Sequence, residues 1–139
     1  MGEVEHQYRR FLLATAAVTY LAAAVELLLV EHYADVWQYI PFGLIAVGLG
    51  AVVWAARAPG PASIRALWIA AGTVGLGSLV GVVLHVKGNA EFALEIDPDL
   101  GTGAALWAGM TGVSPLLAPG MIALAGLLGA AAGWRHPRR

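Results

Sequence analysis

Two histidines and the carboxylates near them are the residues of this sequence whose chemistry could support a site. His32 follows the first apolar stretch of the chain, and His85 lies at the end of the third. Glu31 and Asp35 flank His32 along the chain. Imidazole nitrogens together with carboxylate oxygens suit Zn, Cu, Fe and Ni, and the Irving–Williams order favours Cu(II). These four residues therefore form a candidate metal site, with Cu or Zn as the expected ion.

The spacing of these residues leaves other interpretations open. No HExxH or HxxxH motif is present, and the adjacent Glu31 and His32 cannot point the same way on a helix. Two histidines from two helices can also ligate haem b axially, although these two lie at the ends of their apolar stretches rather than a turn or more inside. Histidines at a membrane interface without any ligand are the alternative to both.

A polar run begins at His85 and ends at Asp99. If the third helix continues into this run, residues four apart share a helix face and could line a polar pocket or a proton relay. The candidates for this role are His85, Asn89, Glu91 and Glu95. The alternative is a solvated helix face that leads into a connecting turn.

Glu26 is the ionisable residue that lies well inside an apolar stretch. A charged side chain at the centre of a membrane helix costs about 2.5–3.5 kcal/mol on insertion scales, and such groups normally face the helix bundle. Glu26 is therefore a candidate proton carrier or ligand. The alternative is a structural hydrogen bond to a Thr, Ser or Tyr of another helix.

The elements that must position these residues are membrane spans. Hydrophobic residues make up 59% of the 139 residues and charged residues 12%, whereas soluble domains have about 45–50% and about 25%. A transmembrane helix needs about 20 apolar residues, and four stretches qualify, at about 11–30, 39–56, 67–86 and 114–134. The predicted fold is all-α, a bundle of four transmembrane helices forming one integral membrane domain over residues 1–139.

The connections between these spans differ in length and character. Residues 31–38 are short and acidic, and residues 58–66 form a Pro/Gly turn. The longest connection, between the third and fourth spans, contains an apolar piece, Ala104–Met110, that we expect as a short interfacial helix or, alternatively, as a re-entrant segment. Ser114 and Pro115 form a suitable N-cap and first residue for the fourth span.

Charge predicts the orientation of the spans. Seven arginines and two glutamates fall on one side of the predicted membrane, and Lys87 with six carboxylates falls on the other. The positive-inside rule therefore places both termini in the cytoplasm, and we expect the protein in the bacterial cytoplasmic (inner) membrane with the histidines outside. The basic residues are few and scattered, so nucleic-acid binding is not expected.

Small residues predict helix packing in the third and fourth spans. Gly77-x-x-x-Gly81 and Gly129-x-x-x-Gly133 are patterns that allow close helix approach. Packing within one bundle is the simpler interpretation, and a homo-oligomer or a place in a larger membrane complex is the alternative.

Two resemblances accompany these patterns. The string His85-x-x-Gly88-Asn89-x-x-Phe92-x-x-Glu95, followed by Pro115-x-x-Ala118-Pro119-Gly120, resembles small bacterial four-helix membrane proteins, a resemblance that implies no activity. The chain is also similar to small multidrug-resistance exporters in having four short spans and one membrane glutamate. It differs in the position of that glutamate and in its strong charge bias, so no exporter residues are carried over.

These observations predict a non-enzymatic membrane protein. We expect an accessory component that binds a metal or a small ligand at its outer face. The alternatives are a proton-coupled transporter or channel that uses Glu26, a haem- or quinone-linked redox protein, and a structural subunit of a larger complex. Walker A and nucleophile-elbow motifs are absent from the sequence.

Overall fold

The computed structural model describes residues 2–113 and 116–134, and it confirms the predicted all-α class. These residues contain helices and turns but no strand. The helices are α1 (Glu3–Leu29), a short 3-10 helix (Val36–Tyr39), α2 (Ile40–Arg57), α3 (Pro61–Ile96), α4 (Thr102–Thr111) and α5 (Leu117–Gly133).

Three of these helices are long and apolar enough to cross a membrane. They are α1, α2 with the preceding 3-10 helix, and α3. The shorter α5 has 17 residues and rises about 25 Å, close to the lower limit for a span of a hydrocarbon core about 30 Å thick. Large apolar side chains cover much of the outer surface, including Leu76 and Leu127, as expected where lipid is the solvent. These features indicate a membrane protein.

Contacts at the two ends of the long helices show that the chain reverses direction from one helix to the next. At one end the start of α1 lies against the end of α5, as shown by the hydrogen bond that Arg9 donates to the carbonyl oxygen of Ala132. The rings of Trp68 and Trp134 lie 5.9 Å apart at this same end, which we call the arginine end. At the opposite end His32 faces His85, and we call it the histidine end.

The centre of the core is the side chain of Tyr20. This residue of α1 is only 1% exposed. Its phenol ring lies directly against Gly48 of α2, and its hydroxyl lies beside Gly126 of α5, which also adjoins Val74 of α3. One aromatic side chain is therefore in the space where α1, α2, α3 and α5 approach each other.

Several predicted helix boundaries were wrong, each for a local reason. The third span was predicted as residues 67–86, but α3 begins at Pro61 and continues to Ile96. Pro61 suits the first turn of a helix, and the Ser63 hydroxyl accepts a hydrogen bond from the Gly60 N–H at 3.0 Å. The predicted 58–66 connection is therefore only three residues long. The far end of α3 is lengthened because α4 packs along it.

The remaining boundaries lie closer to the prediction. Helix α2 matches the second span to within a residue, and α1 begins eight residues before the predicted position 11. Its two early glutamates favour this start, since negative charge stabilises a helix N-terminus. The predicted piece Ala104–Met110 is helical within α4. The predicted Ser114–Pro115 cap lies outside the described residues, and α5 begins at Leu117.

The four glycines of the predicted packing patterns all lie against other helices of the same chain. A Cβ on Gly77 would meet Leu44 of α2, and one on Gly81 would meet Pro119 of α5. On α5, a Cβ on Gly129 would contact Val52 and Leu67, and one on Gly133 would contact Trp68 and Ile64.

Replacement of Gly48 by alanine tests the importance of the Tyr20 contact. A Cβ on Gly48 would overlap the phenol ring of Tyr20, whereas one on Gly50 in the same helix would meet no atom within 4 Å. We expect Gly48→Ala to lower the free energy of unfolding by about 1–3 kcal/mol, the usual cost of overpacking. Gly50→Ala should leave it unchanged or raise it, since alanine favours helix. Reversible unfolding in mixed micelles measures both, and equal effects of the two substitutions would contradict this description of the core.

Candidate functional site

The turn after α1 carries His32 toward the third helix. Glu31 has a φ of 53°, the left-handed conformation that ends many helices. The His32 N–H donates to the Leu27 carbonyl at 2.9 Å, and the Glu31 N–H donates to the Leu28 carbonyl at 3.1 Å. These two hydrogen bonds form a Schellman motif. Glycine is the usual residue at this position, so Glu31 holds a strained backbone immediately before the histidine.

His32 and His85 face each other at the histidine end. Their ring centroids lie 6.3 Å apart, and their planes differ by only 20°. Both side chains are half-buried. The Nδ1 atom of His85 is buried and has no hydrogen-bond partner among the described residues. Since buried polar atoms are normally paired, this ring nitrogen is available to a ligand.

The two carboxylates predicted to complete a metal site do not join the histidines in a group. Within residues 2–113 and 116–134 there is no cluster of three or more His, Cys, Asp or Glu side chains able to hold a metal. Asp35 instead caps the 3-10 helix, where its Oδ1 accepts a hydrogen bond from the Trp37 N–H at 3.1 Å. Glu31 is exposed. The site therefore consists of two imidazoles, and metal binding stays a prediction.

Asn89 is buried, but its amide faces α4 rather than the histidine pair. Its Nδ2 donates to the Gly109 carbonyl at 3.0 Å. A Cβ on Gly109 would lie 2.8 Å from the Val86 carbonyl, and one on Gly112 would overlap the Asn89 side chain. Glycine at both positions allows α4 to lie directly on the outer part of α3. Asn89 thus joins two helices in a hairpin.

The two glutamates of the polar run face away from both histidines and α4. Glu91 forms an exposed ion pair with Lys87, with 3.4 Å between Nζ and Oε1, and such exposed pairs contribute little stability. Glu95 is also exposed. The predicted pocket of four residues is therefore divided, because Glu91 and Glu95 lie on a different face of α3 from His85 and Asn89.

Glu26 lies on the flank of α1, next to its lipid-facing side. It is half-buried and borders an open groove whose other lining residues are apolar and belong to α1, including Val18, Ala22 and Leu29. Within the described part of the chain its carboxylate accepts no hydrogen bond. The alternative role of Glu26, a structural hydrogen bond to a Thr, Ser or Tyr of another helix, is not among the contacts of these residues.

Two contacts between helices were not predicted from the sequence. The first is the α3–α4 contact, which the small residues Ala105-x-x-x-Gly109 could have indicated. The second is the Arg9 side chain, which also pairs with Glu5 at 2.7 Å. A cation at the end of a helix interacts favourably with its last carbonyl groups, but no sequence pattern connects Arg9 to Ala132.

Comparison with known proteins identifies no relative of this chain. No family model, curated protein or solved structure matches it.

Replacement of Glu31 by glycine tests the turn that positions His32. Left-handed backbone costs a residue with a side chain about 1–2 kcal/mol, which glycine avoids at some cost in the entropy of the unfolded chain. We therefore expect Glu31→Gly to raise the free energy of unfolding by about 0.5–1 kcal/mol. Val30, whose φ is −90°, provides the control, since Val30→Gly should lower it. Destabilisation by both changes would contradict the proposed turn.

Replacement of Asn89 by alanine tests the contact between α3 and α4. Loss of the hydrogen bond to Gly109 leaves a buried carbonyl without that donor, which costs about 1–3 kcal/mol. We expect faster hydrogen exchange of backbone amides in α4 and unchanged exchange in α1. Glu91→Ala, at an exposed position two residues away, is the control. Equal exchange in α4 of the two variants would show that Asn89 does not hold this hairpin.

Proposed function

We propose that this protein is a small accessory component of the membrane that binds a transition-metal cation between His32 and His85. The observation that supports this function is the approach of two imidazoles from separate elements. The buried Nδ1 of His85, which has no hydrogen-bond partner in the part of the chain that the structure describes, is a nitrogen that can coordinate a metal ion.

The separation of the two rings suits a shared ion. When the N–metal–N angle is near 180°, a metal between two imidazoles separates their centroids by two metal–nitrogen bonds of about 2.0–2.1 Å and by the radius of each ring. The observed 6.3 Å between centroids is close to that sum. The two ring planes are nearly parallel and stacked, so a shared ion requires rotation of the imidazoles about their side-chain bonds until a nitrogen of each points at it.

Two nitrogen donors are fewer than the four ligands of a structural zinc site. A pair therefore suits an exchangeable ion whose remaining coordination positions are filled by water, a small ligand or a partner protein. Copper is the expected ion because it has the highest affinity in the Irving–Williams order. Haem b would require space for the porphyrin between the rings, and neither the groove beside Glu26 nor the cavity between α1 and α2 near Arg9 lies there.

The proposed placement has four spans with both termini in the cytoplasm of a bacterium. The arginines at one end support it through the positive-inside rule. The histidine pair and the α3–α4 hairpin then lie on the outer side. A cation held there would be open to the periplasmic solvent or to a partner.

A transporter that uses Glu26 receives less support than the metal site. Proton transport needs a hydrated path to the carboxylate, whereas the groove beside Glu26 is lined by apolar side chains of α1.

Metal loading of purified variants tests the proposal. After incubation with Cu or Zn and removal of free ion, we expect about one equivalent in the wild-type protein by elemental mass spectrometry. Changes to outer-shell partners typically weaken metal affinity 10–100-fold, and removal of a ligand itself should weaken it more. His32→Ala and His85→Ala should therefore each lose the ion.

Three matched variants serve as controls for this experiment. Glu31→Gln and Asp35→Asn should keep the metal, since neither carboxylate joins the pair. His6→Ala removes a histidine at the arginine end and should also keep it. Equal loading of wild type and the His32→Ala/His85→Ala double variant would refute the site, provided that both elute as folded protein in size-exclusion chromatography.

A further inference from the structure

A cavity between α1 and α2 opens at the arginine end of the molecule. Its volume is about 510 Å³, within the range of about 300–1,000 Å³ typical of ligand pockets. The walls are apolar and formed mainly by Leu13 and Ala17 of α1 and by Val52 and Ala56 of α2, with Leu67 of α3 behind them. Walls of this composition indicate that the part of a ligand bound between them is apolar.

The entrance of the cavity is basic. His6, Arg9 and Arg10 line it together. The Arg9 guanidinium is fixed in place, since it pairs with Glu5 at 2.7 Å and donates to the Ala132 carbonyl. Arg10 and His6 are exposed. No carboxylate is among the described residues that line the cavity, and Glu5, which pairs with Arg9, lies outside that lining.

The charged and the apolar surfaces of the cavity lie at different positions along α1. From Arg10 to Ala17 the helix rises about 10 Å, and the lining residues change over this distance from charged to apolar. A ligand that satisfies both surfaces has an anionic head at the helix ends and an apolar chain between the helices. Basic pockets between membrane helices on the cytoplasmic side bind lipid headgroups in this way.

We propose that this cavity binds an anionic phospholipid of the inner leaflet. The lipid phosphate lies at His6, Arg9 and Arg10, and part of one acyl chain lies between α1 and α2. Arginine suits the phosphate because its planar guanidinium presents several N–H donors. The proposal uses the arginine end alone and does not depend on the histidine pair.

Lipid binding by the full chain in detergent tests the proposal. Native mass spectrometry would measure retained phosphatidylglycerol and, in parallel, phosphatidylcholine. We expect phosphatidylglycerol to bind more tightly, and Arg10→Gln to weaken it about fivefold, the effect of one basic residue near a membrane surface. His6→Gln combined with Arg10→Gln should weaken it further.

The controls are arginines at the same end that do not line the cavity. Arg57→Gln and Arg65→Gln remove the same charge and should leave binding within twofold. Ala56→Phe, from an exposed position on the α2 wall, should reduce binding of the acyl chain without a loss of charge. The proposal would be overturned if Arg10→Gln did not weaken lipid binding. It would also be overturned if Arg57→Gln, Arg65→Gln and Ala56→Phe all weakened lipid binding as much as Arg10→Gln does.

A second arm separates lipid from free phosphate. Inorganic phosphate at millimolar concentration should leave the bound phosphatidylglycerol in place, because phosphate alone makes no use of the apolar walls. Displacement of the lipid by phosphate would overturn the assignment to a lipid. The His32→Ala/His85→Ala variant should retain the lipid unchanged, so this test and the metal test fail independently.

Discussion

The structure depends on the contact of the Tyr20 ring with glycine backbones in the middle of the core. Between membrane helices, the association energy comes from close packing and hydrogen bonds rather than from escape from water. The absence of a side chain at Gly48 and Gly126 allows α2 and α5 to approach an aromatic ring on α1. Because helices are rigid, this central contact fixes the positions of both helix ends.

The two ends of the molecule differ in the residues that this arrangement of helices brings together. At the arginine end, Arg9 reaches a carbonyl group of the last turn of α5 and leaves a cavity with a basic entrance beside it. At the histidine end, the turn at Glu31 directs His32 toward α3, where His85 is already held by its helix. The pair therefore follows from a local turn combined with the register of two helices.

Composition and the length of the apolar stretches were sufficient to predict the helical class and the approximate position of the apolar helices. The reversal of direction between helices also explains why His32 and His85, distant in sequence, lie at one end. The polar run was harder to interpret. Spacing alone could not assign Asn89 to a contact with α4 and Glu91 to solvent, since that depends on which face of α3 the later helix covers.

The length of α3 was underestimated for a related reason. Hydropathy marks where a helix leaves an apolar environment, not where it ends, and residues beyond Val86 stay helical because α4 packs along them. The Arg9 contact with Ala132 likewise joins residues 123 positions apart, which single-sequence patterns do not connect. Glu26 was expected to face the bundle, yet its flank of α1 borders an apolar groove.

We propose that the imidazoles of His32 and His85 bind one metal ion together. X-ray absorption spectroscopy of the copper-loaded protein measures this directly. We expect two imidazole nitrogens at about 2.0 Å from the metal, with loss of that signal in the His32→Ala/His85→Ala variant. A spectrum without imidazole scattering, or one that the double variant leaves unchanged, would contradict it.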